Sequence, residues 1–331
     1  MLTAVFRSAV SRLWLVTVGA VFLAGCQKPR DSAPHGFRAA LITPGSVTDA
    51  AWNSGAYAGI RALHDSLGME VSNVEARTPA EQEDALRTYA SQGYDLIFAH
   101  GYEFQGAAER VSAQYPKPVF VVTSGERAAG RVVPLVFRLE EASYLAGVVA
   151  GGLTRTGLIG FVGGVELPPV RRAYEGWVNG ARSVRRDVQS RVTYLNTWDD
   201  PAAGREAALA LIRTGVDMFH HNADAAALGV FQAVKETPGV YIFGANADQS
   251  RLAPEHVIGS AAIDLPHAFL LIAREVQNGR FVSRVESFGL ASDVVKYVPN
   301  PAATIKLPPA LAARLAEAER AIRADSLRVV P

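Results

Sequence analysis

Two stretches of this chain are versions of one another. "EDALRTYASQGYDLIFAH" (83–100) and "REAALALIRTGVDMFHHN" (205–222) align without a gap, 122 residues apart. Each reads as a helix, a glycine turn, then Asp and an apolar strand ending in polar residues. Each is followed by a helix, a Pro-containing turn and a further apolar strand, "PVFVVTS" in the first case and "GVYIFGAN" in the second. Two such units in the same order argue for two lobes of similar topology.

The rest of the chain fits that layout. "FRAALIT" (37–43), "DLIFAH" (95–100), "PVFVVTS" (118–124), "LIGFVG" (158–163), "RVTYLN" (191–196), "DMFHHN" (217–222), "GVYIFGAN" (239–246) and "HVIGSAAI" (256–263) read as strands. Most are too apolar for a one-sided sheet and so are expected to be buried on both faces. Helical stretches at 54–67, 79–92, 143–155, 202–214 and 225–235 separate them. This alternation predicts parallel α/β layers. The expected fold is the α/β type I periplasmic binding protein fold, two doubly wound, Rossmann-like lobes joined by a hinge with a ligand cleft between them. The expected division puts 37–138 with 261–284 in lobe 1 and 139–260 with 285–331 in lobe 2.

The N-terminus has a separate role. Arg7 and Arg12 precede the apolar run "LWLVTVGAVFLA" (13–24). At ~1.5 Å per helical residue this run reaches roughly 18 Å, short of a ~30 Å hydrocarbon core, so residues 1–25 read as a secretory signal. "LAGC" (23–26) resembles the bacterial lipobox, which makes Cys26 the lipidated mature N-terminus. Cys26 is also the only cysteine, so neither an internal disulfide nor a Cys-based metal site is expected. The polar, Pro-containing segment 26–36 reads as a tether. Cleavage takes two positive charges from a net +1 and leaves −1. Such a balance argues against nucleic-acid binding. No later segment is long and apolar enough to span a bilayer.

Ligands of doubly wound sheets sit beyond the C-terminal ends of the strands. The segments there are "TPGSVTDAAWNSGAY", "HGYEFQG", "TSGE", "GGVELPPVRRAYEGW", "NADAAALG" and "ANADQ". They combine aromatics with carboxylates and carboxamides, a set suited to a flat, uncharged, hydrogen-bonding ligand. "FHHNAD" (219–224) first suggests a metal site. His220 and His221 on one strand would point to opposite faces, so no metal is expected, and one of the two is expected to reach the cleft. Asp224 can contact ligand or cap the following helix, and Asn222, Asn246 and Asp248 carry the same ambiguity. Gly-rich phosphate loops, a nucleophile elbow and a catalytic triad are not recognisable. Neither catalysis nor a cofactor is expected.

"DAAWNSGAYAGI", "DLIFAHGYEF", "RLEEASYLAGVVAG", "GLIGFVGGVELPPVRRAYEGWVNGARSV", "WDDPAAGREAAL", "GVDMFHHNADAAALGVFQAVKE" and "GANADQS" follow one another in this order from about Phe37 to Gly279. In these blocks the chain resembles the basic membrane protein family of bacterial lipoproteins, whose studied members are purine nucleoside receptors of ABC transporters. The resemblance implies that Trp52 stacks on a purine, with Asn53 and Asp49 donating and accepting near the base. It implies a second ring from the other lobe, Trp177 or Tyr174, because the family's aromatic falls at Ala173 here. Tyr102, Glu103, Asn222, Asp224, Asn246 and Asp248 complete the expected contacts. Asn246 replaces a family Asp, and Ile263 stands where a lysine is usual, which weakens the grip on ribose hydroxyls. A free base is therefore as well supported as a nucleoside.

The expected function is lipid-anchored binding at the cell envelope, outside the cytoplasm. It delivers a purine base or nucleoside to an ABC permease and its ATPase. The alternative is a sensor or surface-interaction lipoprotein of the same fold that binds another small ligand without transport.

Overall fold

The computed structural model describes residues 36–49 and 51–330. The expected signal segment, Cys26 and the tether up to residue 35 lie outside the described residues. The described residues group as one compact unit by their own contacts.

Lobe 1 begins with β1 (Arg38–Thr43), α1 (Trp52–Leu67), β2 (Glu70–Glu75), α2 (Pro79–Ser91), β3 (Leu96–His100), α3 (Gln105–Ser112), β4 (Val119–Thr123) and β5 (Val132–Phe137). Lobe 2 follows with α4 (Leu139–Leu153), β6 (Leu158–Gly163), α5 (Pro168–Val184), β7 (Gln189–Tyr194), α6 (Pro201–Arg213), β8 (Met218–Asn222), α7 (Ala227–Lys235), β9 (Tyr241–Asn246) and β10 (Val257–Ile263). The chain returns to lobe 1 for α8 (Leu265–Gln277) and β11 (Glu286–Phe288). It ends in lobe 2 with β12 (Val295–Pro299) and α9 (Pro309–Arg323).

The two sheets share one strand order, 11-5-4-3-1-2 and 12-10-9-8-6-7. Only β12 runs antiparallel to its neighbour. Both are doubly wound, and each has its topological switch point where the chain changes direction, between β1 and β3 and between β6 and β8. Strands β3, β4 and β8 are wholly buried and β9 is buried but for Tyr241, as their apolar runs predict. Strand β2, "EVSNVE", is mostly exposed at a sheet edge, which is why hydrophobicity does not reveal it.

The lobe boundaries shift from those expected. Ala261 and Ala262 pair with both β9 and β12, and Ile263 pairs with β12, so 261–263 belong to lobe 2. Residues 286–288 hydrogen-bond to β5 and belong to lobe 1. The second and third crossings therefore fall after Ile263 and after Phe288, not after 260 and 284. The pairing partners of these strands decide the matter, and local pattern cannot supply them.

Helices α4 and α5 pack backbone to backbone. A Cβ on Gly147 would lie 2.1 Å from the Trp177 carbonyl oxygen, and one on Gly180 would lie 2.0 Å from that of Tyr144. This contact fixes which face of α5 turns toward the sheet.

Candidate functional site

A cavity of about 430 Å³ lies between the lobes, at both switch points. That falls within the roughly 300–1,000 Å³ typical of small-molecule sites. Lobe 1 brings Asp49, Trp52 and Asn53 from the β1–α1 connection, and Tyr102 and Glu103 from the turn after β3. Lobe 2 brings Asn222 and Asp224 from the end of β8 and Asn246 from the end of β9.

Trp52 is half-buried, and its ring stacks on His100, centroids 4.0 Å apart and planes 25° from parallel. Phe137 meets the indole edge-on at 6.2 Å. His100 is fully buried at the end of β3. Its Nε2–H donates to the Trp52 carbonyl at 3.0 Å, because a carbonyl can only accept. Its Nδ1 therefore accepts from the Thr123 hydroxyl at 2.9 Å. Burial drives its pKa down to about 3, so the ring beneath Trp52 stays neutral.

Asp49 spans the start of α1. Its two carboxylate oxygens accept from the N–H groups of Asn53 and Ser54, each at 2.8 Å. It is thus a helix cap that also borders the cavity. Asn53 is 5% exposed, and its Oδ1 has no hydrogen-bond partner among the described residues. The Glu103 carboxylate folds back over Gly101, where a Cβ would lie 2.5 Å from Oε2. Gly101 has φ 147°, a conformation open to glycine. Glu103 is exposed to the cavity, and partial desolvation there raises its pKa.

Across the cleft, the Asn246 amide is 3.3 Å from Asn222 Oδ1 and 3.4 Å from Asp224 Oδ1, donating to both. The Asp224 carboxyl is held well above the usual range, first by desolvation and then by Asp49 and Glu103. Among the described residues, four of the six non-glycine positions with positive φ border this cavity: Ser124, Asn196, Asp224 and Asn246. All four lie at or just past a strand end. Backbone strain concentrated in this way marks functional sites.

Three expected residues lie elsewhere. Trp177 is fully buried in the core of lobe 2, 5.3 Å from His220 and 5.2 Å from Phe243 between ring centroids. The α4–α5 glycine contact turns it inward. Tyr174, on the same helix, packs on Phe161, and its hydroxyl bonds to the Ser190 hydroxyl at 2.9 Å. Asp248 is exposed and closes its own turn, accepting from the Ser250 amide at 3.0 Å and hydroxyl at 2.6 Å.

The two histidines do point to opposite faces, His220 towards Phe161 and Trp177, His221 towards Phe231. Neither reaches the cavity, contrary to the expectation for one of them. His220 donates from Nδ1 to the Phe243 carbonyl at 3.2 Å and accepts at Nε2 from Ser143 at 3.0 Å. His221 donates from Nε2 to Gln249 Oε1 at 2.8 Å. Burial lowers their pKa values to about 3 and about 4. Among the described residues no cluster suited to a metal ion occurs.

One cavity aromatic escapes the sequence reading. Trp198 lies over Gly164, where a Cβ would come within 2.2 Å of the indole. Its carbonyl accepts from Ala226 N at 2.9 Å, which ties it to the turn bearing Asp224. The signal was available: Trp198 follows the strand "RVTYLN", and residues beyond strand C-termini are those that meet ligand.

A profile of the Bmp family, described as ABC transporter substrate-binding protein PnrA-like, matches residues 37–317. The chain is 30% identical over 271 residues to basic membrane protein A2 of Borrelia garinii subsp. bavariensis, covering 80% of each chain. It is 29% identical to the ABC transporter nucleoside-binding protein BmpA of Lactococcus lactis subsp. cremoris, covering 74% of each. It is 26% identical to a purine-binding protein of Brucella abortus, covering 86% of this chain and 80% of that one. Among solved structures, an ABC transporter solute-binding protein from Aeropyrum pernix K1 superposes with TM-score 0.78 at 22% identity, covering 88% of this chain and 92% of the other. No helix among the described residues is long and apolar enough to cross a membrane.

Proposed function

The chain belongs to the PnrA-like family of ABC transporter substrate-binding proteins, and from that premise we propose that it holds a purine base or nucleoside between its lobes for uptake. One observation carries this reading. A tryptophan backed by a neutral histidine shares the cleft with a carboxyl and two carboxamides of the other lobe. The ring offers stacking, worth ~1–3 kcal/mol per base. The polar groups of that lobe offer the hydrogen bonds that identify the base edge. Trp198 is the candidate second ring, in place of Trp177 and Tyr174. Ile263, apolar on the cavity wall, favours a free base at least as much as a nucleoside.

Binding without chemistry is part of this reading. Incubation with inosine or adenosine should release no free base. Cys26 is the proposed lipid anchor to the outer side of the membrane, supported by "LAGC", and mass spectrometry of the mature N-terminus tests it. The permease and ATPase are the proposed partners in transport.

The decisive experiment is thermal-shift screening of the purified full chain against bases, nucleosides, sugars and amino acids. Stabilisation by purines that disappears in Trp52→Ala is the expected result. Stabilisation by sugars or amino acids alone would sink the proposal.

A further inference from the structure

Among the charged side chains that line the cavity, acceptors outnumber donors. Asp49 and Glu103 reach it from lobe 1, Asp199 and Asp224 from lobe 2. Arg77 is the single cation among the described residues that line it. Its guanidinium is already engaged, by Glu75 at 2.5 Å and by Asp199 at 3.1 Å, and it lies at the exposed mouth. The nearby histidines are buried and neutral, so they add no positive charge. The Asn246 amide, a natural donor to a ligand, is shared between Asn222 and Asp224.

An independent observation points the same way. Asn53 is more than nine-tenths buried and lines the same cavity, yet its carbonyl Oδ1 has no partner. A buried acceptor left unpaired costs stability until a donor meets it. Asp49 and Asp199 spend both carboxyl oxygens on the chain itself, so the carboxyl oxygens left to take a new bond are those of Glu103 and the second oxygen of Asp224. Carboxyl groups of the two lobes also share this cavity, and repulsion from Asp49 and Glu103 helps hold the Asp224 proton. A ligand that places N–H groups between them relieves that repulsion, and a ligand carrying negative charge worsens it.

We propose that this acceptor surplus makes the site selective for amino-substituted purines, neutral or protonated, and against purines that carry negative charge. The inference rests on the purine reading given above and narrows it. Amine-bearing purines satisfy the acceptors with charge-assisted bonds. Oxopurines lacking the amine leave acceptors unpaired. Urate and 5′-phosphorylated nucleosides bring an anion against carboxylates.

The test is calorimetric titration of the full chain at neutral pH with adenine, hypoxanthine, urate, adenosine and AMP. Adenine should bind at least about tenfold more tightly than hypoxanthine, with urate and AMP giving no detectable heat. Asp224→Asn and Glu103→Gln, near-isosteric changes that convert an acceptor carboxylate to an amide, should each shrink the adenine-to-hypoxanthine ratio and raise the relative affinity for urate. Equal binding of hypoxanthine or urate in the wild type overturns the inference, as does an unchanged ratio in both variants. If no purine binds at all, the purine reading itself fails, an outcome distinct from binding every purine alike.

Discussion

At the end of β3 the chain buries His100 beneath Trp52; at the aligned position, the end of β8, Asn222 forms part of the cavity wall. Both strands then pass through a single short 3-10 turn into a helix, Tyr102–Phe104 before α3 and Asp224–Ala226 before α7. The same backbone unit therefore does two kinds of work. In lobe 1 the strand-end side chain supports an aromatic from another connection. In lobe 2 the strand end and its turn face the cavity with polar groups. Trp177 of lobe 2 lies in the core, away from the cavity that Trp52 of lobe 1 lines. In the proposed complex lobe 1 supplies the His100-backed ring and lobe 2 the Asn222–Asp224–Asn246 cluster, an asymmetry that substitutions can break.

The two tryptophans give the sharpest separation. Trp177→Ala empties a fully buried site and should cost ~3–5 kcal/mol of stability in urea unfolding. Affinity of the folded fraction should stay within about twofold, since Trp177 does not line the cavity. Trp52→Ala should do the reverse. It removes ~1–3 kcal/mol of stacking, about 5- to 150-fold in affinity by titration calorimetry. A Trp177 variant that folds normally but no longer binds would place the lobe 2 ring in the site after all.

The difference between these tryptophans also marks what could be read in advance. Trp52, Asn222 and Asp224 follow apolar strands whose C-termini must converge at one edge, so pattern alone points to them. Trp177 is on a helix, and its direction depends on Gly147 and Gly180 letting α4 and α5 touch, a tertiary fact that no local period carries. Trp198 follows β7, a half-exposed edge strand whose loop looks like surface. The opposed faces of His220 and His221 follow from strand alternation. That both are sealed from the cleft does not, because it depends on Phe231, Gln249 and Trp177 arriving from other elements.

Those histidines, together with His100, are expected to set the acid side of the stability profile. Their folded pKa values of about 3 and 4 lie below the ordinary 6.5. The unfolded chain then takes up protons that the folded chain refuses, and stability falls as pH drops from about 6.5 towards 4. Glu103 and Asp224 act in the opposite sense, because their raised carboxyls cost stability that returns as pH falls through those values. His221, whose Nδ1 has no partner, is the site to test. His221→Gln should flatten the acid limb by up to ~1.4 kcal/mol per pH unit. An unchanged limb in chemical denaturation at several pH values would mean that another group controls it.

Asp224 should show a trade between the two roles of lobe 2. Its carboxyl is desolvated, opposed by two other acids and held at φ 43°. Asp224→Asn keeps the shape and suits that backbone, so the ligand-free protein should gain up to ~1 kcal/mol. Affinity for an amine-bearing purine should fall about tenfold as a charge-assisted bond is lost. A variant that lost both stability and affinity would make Asp224 structural, and the proposed division between the lobes would then need another residue on the lobe 2 side.

The smallest effect is expected where the lobes meet. Arg77 of lobe 1 pairs with Asp199 of lobe 2 at 3.1 Å, and Arg172 of lobe 2 pairs with Glu126 of lobe 1 at the same distance. Both pairs bridge the lobes, and the Arg77 pair borders the cavity and is more than half exposed on each side. Such pairs are screened by salt and lose much of their attraction to side-chain entropy. Arg77→Ala should therefore weaken ligand binding only a few-fold, mainly by faster release, and the difference from wild type should vanish at high salt in stopped-flow dissociation. A large, salt-insensitive loss would show that Arg77 meets the ligand itself, and the cleft would then contain the cation that its acceptor-rich interior otherwise lacks.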